Sequence, residues 1–110
     1  MDINTNVTPK PDDGQQPKSS APTAGSVALS NVLFERRRQD ALWGVQNYDM
    51  EHWLVILQEE CGEAAEAALE NNGSKYRDEM VHVAAVALAA VECFDRRFPS
   101  SQNEGREIRR

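Results

Sequence analysis

Between Ser30 and Arg97 apolar residues return every three or four positions, the period of helices with a buried face, and helix-stopping residues divide this stretch in three. Ser30 is placed to cap a first helix running to about Val45, with Gly44 near its end. Leu33, Phe34, Ala41, Leu42 and Val45 gather on one side of it, and Glu35 to Arg38 and Asp40 fall mostly on the other, the side expected to face solvent. Asp49 caps a second helix from Met50 to about Glu70, with an apolar seam of Leu54, Leu57, Cys61, Ala64, Ala65 and Ala68. Asn71-Asn72-Gly73 breaks it, and Ser74 caps a third helix from Lys75 to about Arg97. The body of that helix is apolar nearly all round, which predicts burial against another subunit as well as within the chain. No stretch alternates with period two for more than a few positions, so no strand is expected. The predicted fold class is all-α, a helical hairpin plus an N-terminal helix that forms a four-helix-bundle-type core through oligomerisation.

Outside these stretches the pattern disappears. Residues 1–28 hold four of the five prolines with Asp12-Asp13-Gly14, Ser19-Ser20 and no apolar period, and read as a disordered arm. Pro99 stops the last helix, and 99–110 read as a flexible tail, leaving 29–98 as one helical domain. A core this small contributes only about 3–5 kcal/mol by itself, so self-association is the expected supplement. Cys61 and Cys93 lie in apolar helical stretches without metal-finger spacing, which predicts reduced, buried thiols. The longest apolar run, Val83 to Val91, is far too short to span a membrane, and no leader pattern opens the chain, so a cytoplasmic protein with no membrane partner is expected. Arm and tail carry one net charge each, of opposite sign, so the formal charge of -6 resides in the helical core. Duplex nucleic acid is not an expected partner, whereas a polyphosphate can bind such a surface through bridging metal ions.

The acids therefore hold the chemistry. Glu59, Glu60, Glu63, Glu66 and Glu70 crowd the second helix, and the spacing of Glu60 and Glu63 puts both on one face, where they repel by about 0.3 kcal/mol unless something compensates them. Across a turn of about four residues, Glu79 begins the apolar body of the third helix and His82 follows one helical turn later. The antiparallel hairpin can aim this pair at Glu60 and Glu63, so a shared divalent cation is the compensation the pattern suggests. Glu66 and Glu70 point to the solvated side.

Glu59-Glu60-Cys61-Gly62-Glu63-Ala64-Ala65-Glu66 followed by Glu79-Met80-Val81-His82-Val83-Ala84-Ala85-Val86-Ala87 resembles the MazG-like branch of the all-α NTP pyrophosphohydrolases, in its compact phage and bacterial form. The resemblance extends upstream to Glu35-Arg36, Gln39-Asp40 and Trp43-Gly44-Val45-Gln46-Asn47. It implies a metal-dependent conversion of nucleoside triphosphate, such as dGTP, to monophosphate and pyrophosphate in a homodimer or homotetramer. The family's ExxE and ExxD motif falls on Glu60, Glu63, Glu79 and His82, with His in place of the final Asp, a change that suits Mn²⁺ better than Mg²⁺. The resemblance implies Glu60, Glu63 and Glu79 as ligands, His82 as a ligand or as a group that orients one, and Glu59 or Glu63 as the base for the attacking water. Lys75, Arg77 and Arg96 are candidate phosphate contacts, and Gln39, Trp43 and Asn47, four residues apart, are candidates for a wall of the nucleotide pocket.

Two other classes fit parts of the pattern. Glu79-x-x-His82 has the spacing of a carboxylate-bridged di-iron centre, although the other histidine, His52, has no glutamate at the matching position. A helical adaptor without turnover would tolerate the missing Asp.

Overall fold

The computed structural model describes residues 21–99, and these form three α-helices, with no strand among the described residues: α1 (Ala24–Trp43), α2 (Met50–Leu69) and α3 (Gly73–Arg97). The arm expected over 1–28 lies largely outside them, as does the tail from Ser100. No helix is long and apolar enough to cross a membrane.

Helix α1 starts earlier than its apolar period predicts. Thr23 and Ser26 form a reciprocal capping box, Ser26 N–H donating to Thr23 Oγ1 at 3.1 Å and Thr23 N–H to Ser26 Oγ at 3.0 Å. The residues from 24 to 30 are exposed, so the cap rather than burial defines this end, and Ser30 lies inside the helix. The other end comes at Trp43, because Gly44 takes a positive φ of 78°. Asp49 caps α2 as expected, accepting from His52 N–H at 2.9 Å. Asn71 adopts the left-handed φ of 56° that ends α2, and Asn72, not Ser74, caps α3 by accepting from Lys75 N–H at 3.1 Å. One short turn thus sets α2 antiparallel to α3.

The core is one cluster in which Trp53, at the start of α2, packs with Val86, Ala89 and Cys93, toward the end of α3, flanked by Tyr48, Ile56 and Leu57. The indole fixes the rotation of α2, so its inward line runs Trp53, Ile56 and Leu57, Glu60, Ala64, Ala67. The predicted seam is corrected accordingly: Ala64 faces inward, but Leu54, Cys61, Ala65 and Ala68 are exposed, and only Cys93 of the two cysteines is a buried thiol. Leu54 with Met50 on α2, and Val91 with Phe94 on α3, leave an open apolar groove on the outside of the hairpin.

Helix α1 docks on α3 with its charged face, the reverse of the expectation. Glu35 and Arg36 are its buried residues, whereas Phe34 and Leu42 are more than half exposed. The reason is ionic. Arg36 donates to Glu92 Oε1 of α3 at 2.6 and 3.2 Å and, within α1, to both carboxylate oxygens of Asp40 at 3.2 Å. Burying an arginine is tolerable only with its donors satisfied, and here two carboxylates satisfy them. Arg36→Ala is expected to cost about 1–3 kcal/mol, with a fall in melting temperature of about 4–8 °C per kcal/mol and detachment of α1. Thermal melts followed by circular dichroism, with hydrogen exchange along α1, check this.

Candidate metal centre and cleft

The inward lines of α2 and α3 each carry polar residues where a bundle would place apolar ones. Glu60 falls between Ile56 and Ala64, and Glu79 and His82 precede Val86. One ligand atom from each of Glu60, Glu79 and His82 lies within 4.8 Å of the others. His82 Nδ1 is 3.3 Å from Glu79 Oε1 and 3.9 Å from Glu60 Oε1, the second distance too long for a hydrogen bond. Glu60 Oε1 is thereby a buried oxygen with no hydrogen-bond partner. Burial raises the pKa of Glu60, the neighbouring charge of Glu63 adds to this, and His82 opposes it.

The opposite edge of the imidazole faces α1, with His82 Nε2 3.7 Å from Glu35 Oε2. Arg38 holds Glu35 through two hydrogen bonds of 2.9 and 3.0 Å, and Gln39 Nε2 donates to it at 3.1 Å. The Arg38 bonds lower the pKa of Glu35 against the opposing effect of burial. The three helices thus present four ionisable groups around one point, with His82 in the middle.

These groups open into a cleft of about 440 Å³ with two kinds of lining. Glu35, Glu60, Glu63, Glu79 and His82 form the charged part, with Arg38 beside them. Trp43, Gln46, Tyr48, Trp53 and Ile56 form the aromatic and amide part. Of the residues singled out in the sequence, the fold brings Glu60, Glu79 and His82 together, whereas Glu63, expected as a fourth ligand, is exposed and lies outside that group; Glu63, Gln39 and Trp43 line the cleft around it. Glu59 is exposed and does not line this cleft. Asn47 is displaced from the line of Gln39 and Trp43, because α1 ends at Trp43, and its Oδ1 accepts from Arg96 at 2.9 and 3.2 Å. Arg96 accordingly faces the α1–α2 loop. Arg77 donates to Asn31 of α1 at 2.9 Å and borders a smaller cleft that shares Glu35 and His82, and Lys75 is exposed outside both. His52 stacks on Tyr48, ring centres 4.0 Å apart, and does not line the cleft.

Glu35, Arg38, Gln46 and Tyr48 also line the site, although no sequence signal marks all four. A signal was present for the first two: Glu35 has Arg38 three and Gln39 four residues on, a spacing that locks a carboxylate onto a helix face. Gln46 and Tyr48 sit in a loop, where no period betrays direction. Comparison with models of protein families, with curated proteins and with solved structures finds no match to the chain.

The orphaned Glu60 oxygen is a test of fit for a cation. It lacks a donor, it is buried, and a carboxylate and an imidazole lie beside it, so a divalent ion matches the donor set better than any residue present. Without metal, Glu60 holds its proton more tightly in the folded chain than in the unfolded one, so its contribution favours the fold at low pH and declines as pH rises through the raised pKa. Glu35 acts oppositely, stabilising above the unfolded carboxyl pKa and losing this as pH falls through its lowered one. In chelator at neutral pH, Glu60→Gln is expected to melt about 2–6 °C higher than the parent chain. In Mn²⁺ the order is expected to reverse, because only the parent chain gains from the ion. Melting curves of both proteins in each condition check this.

Proposed function

We propose that the chain is a metal-dependent nucleoside triphosphate pyrophosphohydrolase, converting a nucleoside triphosphate and water to the monophosphate and pyrophosphate. The observation that carries the reading is the cleft, which joins Glu60, one oxygen of which is buried without a hydrogen-bond partner, and its neighbours Glu79 and His82 to an aromatic and amide wall. A triphosphate needs the first part and a base the second. The resemblance of Glu60-x-x-Glu63 and Glu79-x-x-His82, with Glu35-Arg36 and Trp43-Gly44 upstream, to the MazG-like pyrophosphohydrolases supports the same reading.

Glu60, Glu79 and His82 would hold Mn²⁺ or Mg²⁺, with Mn²⁺ favoured by the imidazole. A cation bound there supplies charge neutralisation for the triphosphate and lowers the pKa of a coordinated water. The protein's own residues do the remainder. Glu63, exposed at the edge of the cleft, accepts the proton of the water that attacks the α-phosphorus as the bond to the bridging oxygen of the pyrophosphate breaks. Glu35, held by Arg38 and Gln39, sets its negative charge 3.7 Å from the Nε2 edge of the His82 imidazole. Arg38 adds a positive charge beside the site. We also propose that a second copy covers the outer groove of Met50, Leu54, Val91 and Phe94, completing a four-helix core from two hairpins, with a homodimer or homotetramer as the working form.

Pyrophosphate release measured over the ribo and deoxy nucleoside triphosphates, dGTP among them, with Mn²⁺ and with Mg²⁺, tests the activity. Glu60→Ala and Glu79→Ala are each expected to lower turnover on the order of 100-fold or more. Full turnover in either variant, or no pyrophosphate from the parent chain with any nucleotide, defeats the reading.

A further inference from the structure

The α1–α2 loop, residues 44–49, is held more firmly than its role as a connection requires. The last turn of α3 reaches it at three successive residues. Arg96 Nη2 donates to the carbonyl of Gln46 at 3.1 Å and to Asn47 Oδ1 at 2.9 Å, and Arg97 Nη1 donates to the carbonyl of Tyr48 at 3.2 Å. Cys93 Sγ lies 3.4 Å from that same Tyr48 carbonyl. The Tyr48 ring is fixed on two sides, stacked on His52 with an interplanar angle of 5° and edge-on to Trp53 at 5.2 Å. Its hydroxyl accepts from Gln46 Nε2 at 2.8 Å, and both side chains line the cleft that contains the carboxylates.

The Gln46–Tyr48 pair uses one donor and one acceptor on itself, and no further partner occupies it among the described residues. With the amide as placed, the tyrosine hydroxyl proton and the second amide N–H remain to donate and Gln46 Oε1 remains to accept. With the amide reversed, two N–H donors and the tyrosine oxygen remain, so either orientation presents at least one donor and one acceptor. A polyphosphate offers only acceptors and has no use for the acceptor of this pair, whereas the edge of a nucleobase sets donors beside acceptors. The exposed indole of Trp43 adds flat apolar surface to the same wall. Along α2, Trp53 precedes Glu60 by two turns, about 10 Å, a span that a nucleoside can bridge.

We infer that Gln46 and Tyr48 read the edge of the base, and that Arg96 is a positioning residue that holds their loop in its reading geometry. This inference rests on the proposed pyrophosphohydrolase activity and names the part of the site that selects among its substrates. A loop fixed in advance loses little conformational freedom on binding, so its two polar groups discriminate at full strength.

The test uses the full chain and its Tyr48→Phe, Gln46→Ala and Arg96→Lys variants. For each, kcat and KM are measured over the ribo and deoxy nucleoside triphosphates with Mn²⁺, together with inhibition by inorganic triphosphate, which has no base. The Tyr48→Phe and Gln46→Ala changes are expected to raise KM about 3- to 10-fold, unequally among bases, so that the order of preferred substrates changes. Arg96→Lys is expected to flatten the same order. Inhibition by inorganic triphosphate is expected to stay at the parent value in all three. Tyr48→Phe keeps both ring contacts, so its result does not depend on the fold surviving a larger change. An unaltered substrate order in Tyr48→Phe and Gln46→Ala, or a matching loss of triphosphate inhibition, overturns the inference while the activity stands. A parent chain that hydrolyses no nucleotide overturns the activity and the base assignment together.

Discussion

Charged groups placed in the seam between two helices govern this structure. In a small bundle each inward position is worth on the order of 1 kcal/mol or more when filled with an apolar side chain, and a carboxylate there forgoes this and resists dehydration as well. Glu60, Glu79 and His82 occupy three such positions, in line with Trp53, Ala64 and Ala67 on one helix and with Val86, Ala89 and Cys93 on the other. The raised pKa of Glu60 reflects the same cost as a tighter hold on a proton. A chain of this size has little stability to spare, and the cost fits the proposed chemical role of the site.

The same economy explains α1. It has little apolar surface turned toward α3 and attaches through Arg36 to Glu92, with Glu35 directed at His82. An ionic attachment has angular preferences that an apolar one lacks, because the arginine fork meets its carboxylates in a limited set of orientations. Docking the helix therefore also sets the Glu35 carboxylate beside the histidine. Phe34 and Leu42 on α1 are left exposed, and the separate outer groove of Met50, Leu54, Val91 and Phe94 on the hairpin is the surface that the proposed second copy would use.

Much of this was legible in the sequence. Three helices follow from the period, from Asp49 as a cap and from the Asn-Asn-Gly break, and the convergence of Glu60, Glu79 and His82 follows from a short turn and three-residue spacings. What escaped has physical reasons. The start of α1 depends on a Thr23–Ser26 hydrogen-bonded pair among exposed residues, a signal that hydrophobicity does not carry. The rotation of α2 is decided by where one indole fits, and Trp53 and Leu54 are adjacent in sequence but lie about 100° apart around the helix. The face of α1 was inverted because an arginine with two carboxylate partners outweighs several weakly packed aliphatic residues, and one of those partners, Glu92, is 56 residues away. The loop pair Gln46 and Tyr48 carries no period at all, and its direction emerges only once α3 is in place.

Near the hairpin turn the buried apolar residues are alanines, beside the buried Glu79. Ala67 and Ala85 have no exposed surface and Ala64 almost none. The approach of two helices depends on the side chains at their contact. Ala64 is one turn beyond Glu60, and Ala85 is three residues beyond His82, so small residues neighbour both groups along their helices. The separation of Glu60 from Glu79 and His82, and with it the radius of ion that the proposed centre would admit, would thus be adjustable by one carbon at a time without altering any of the three residues.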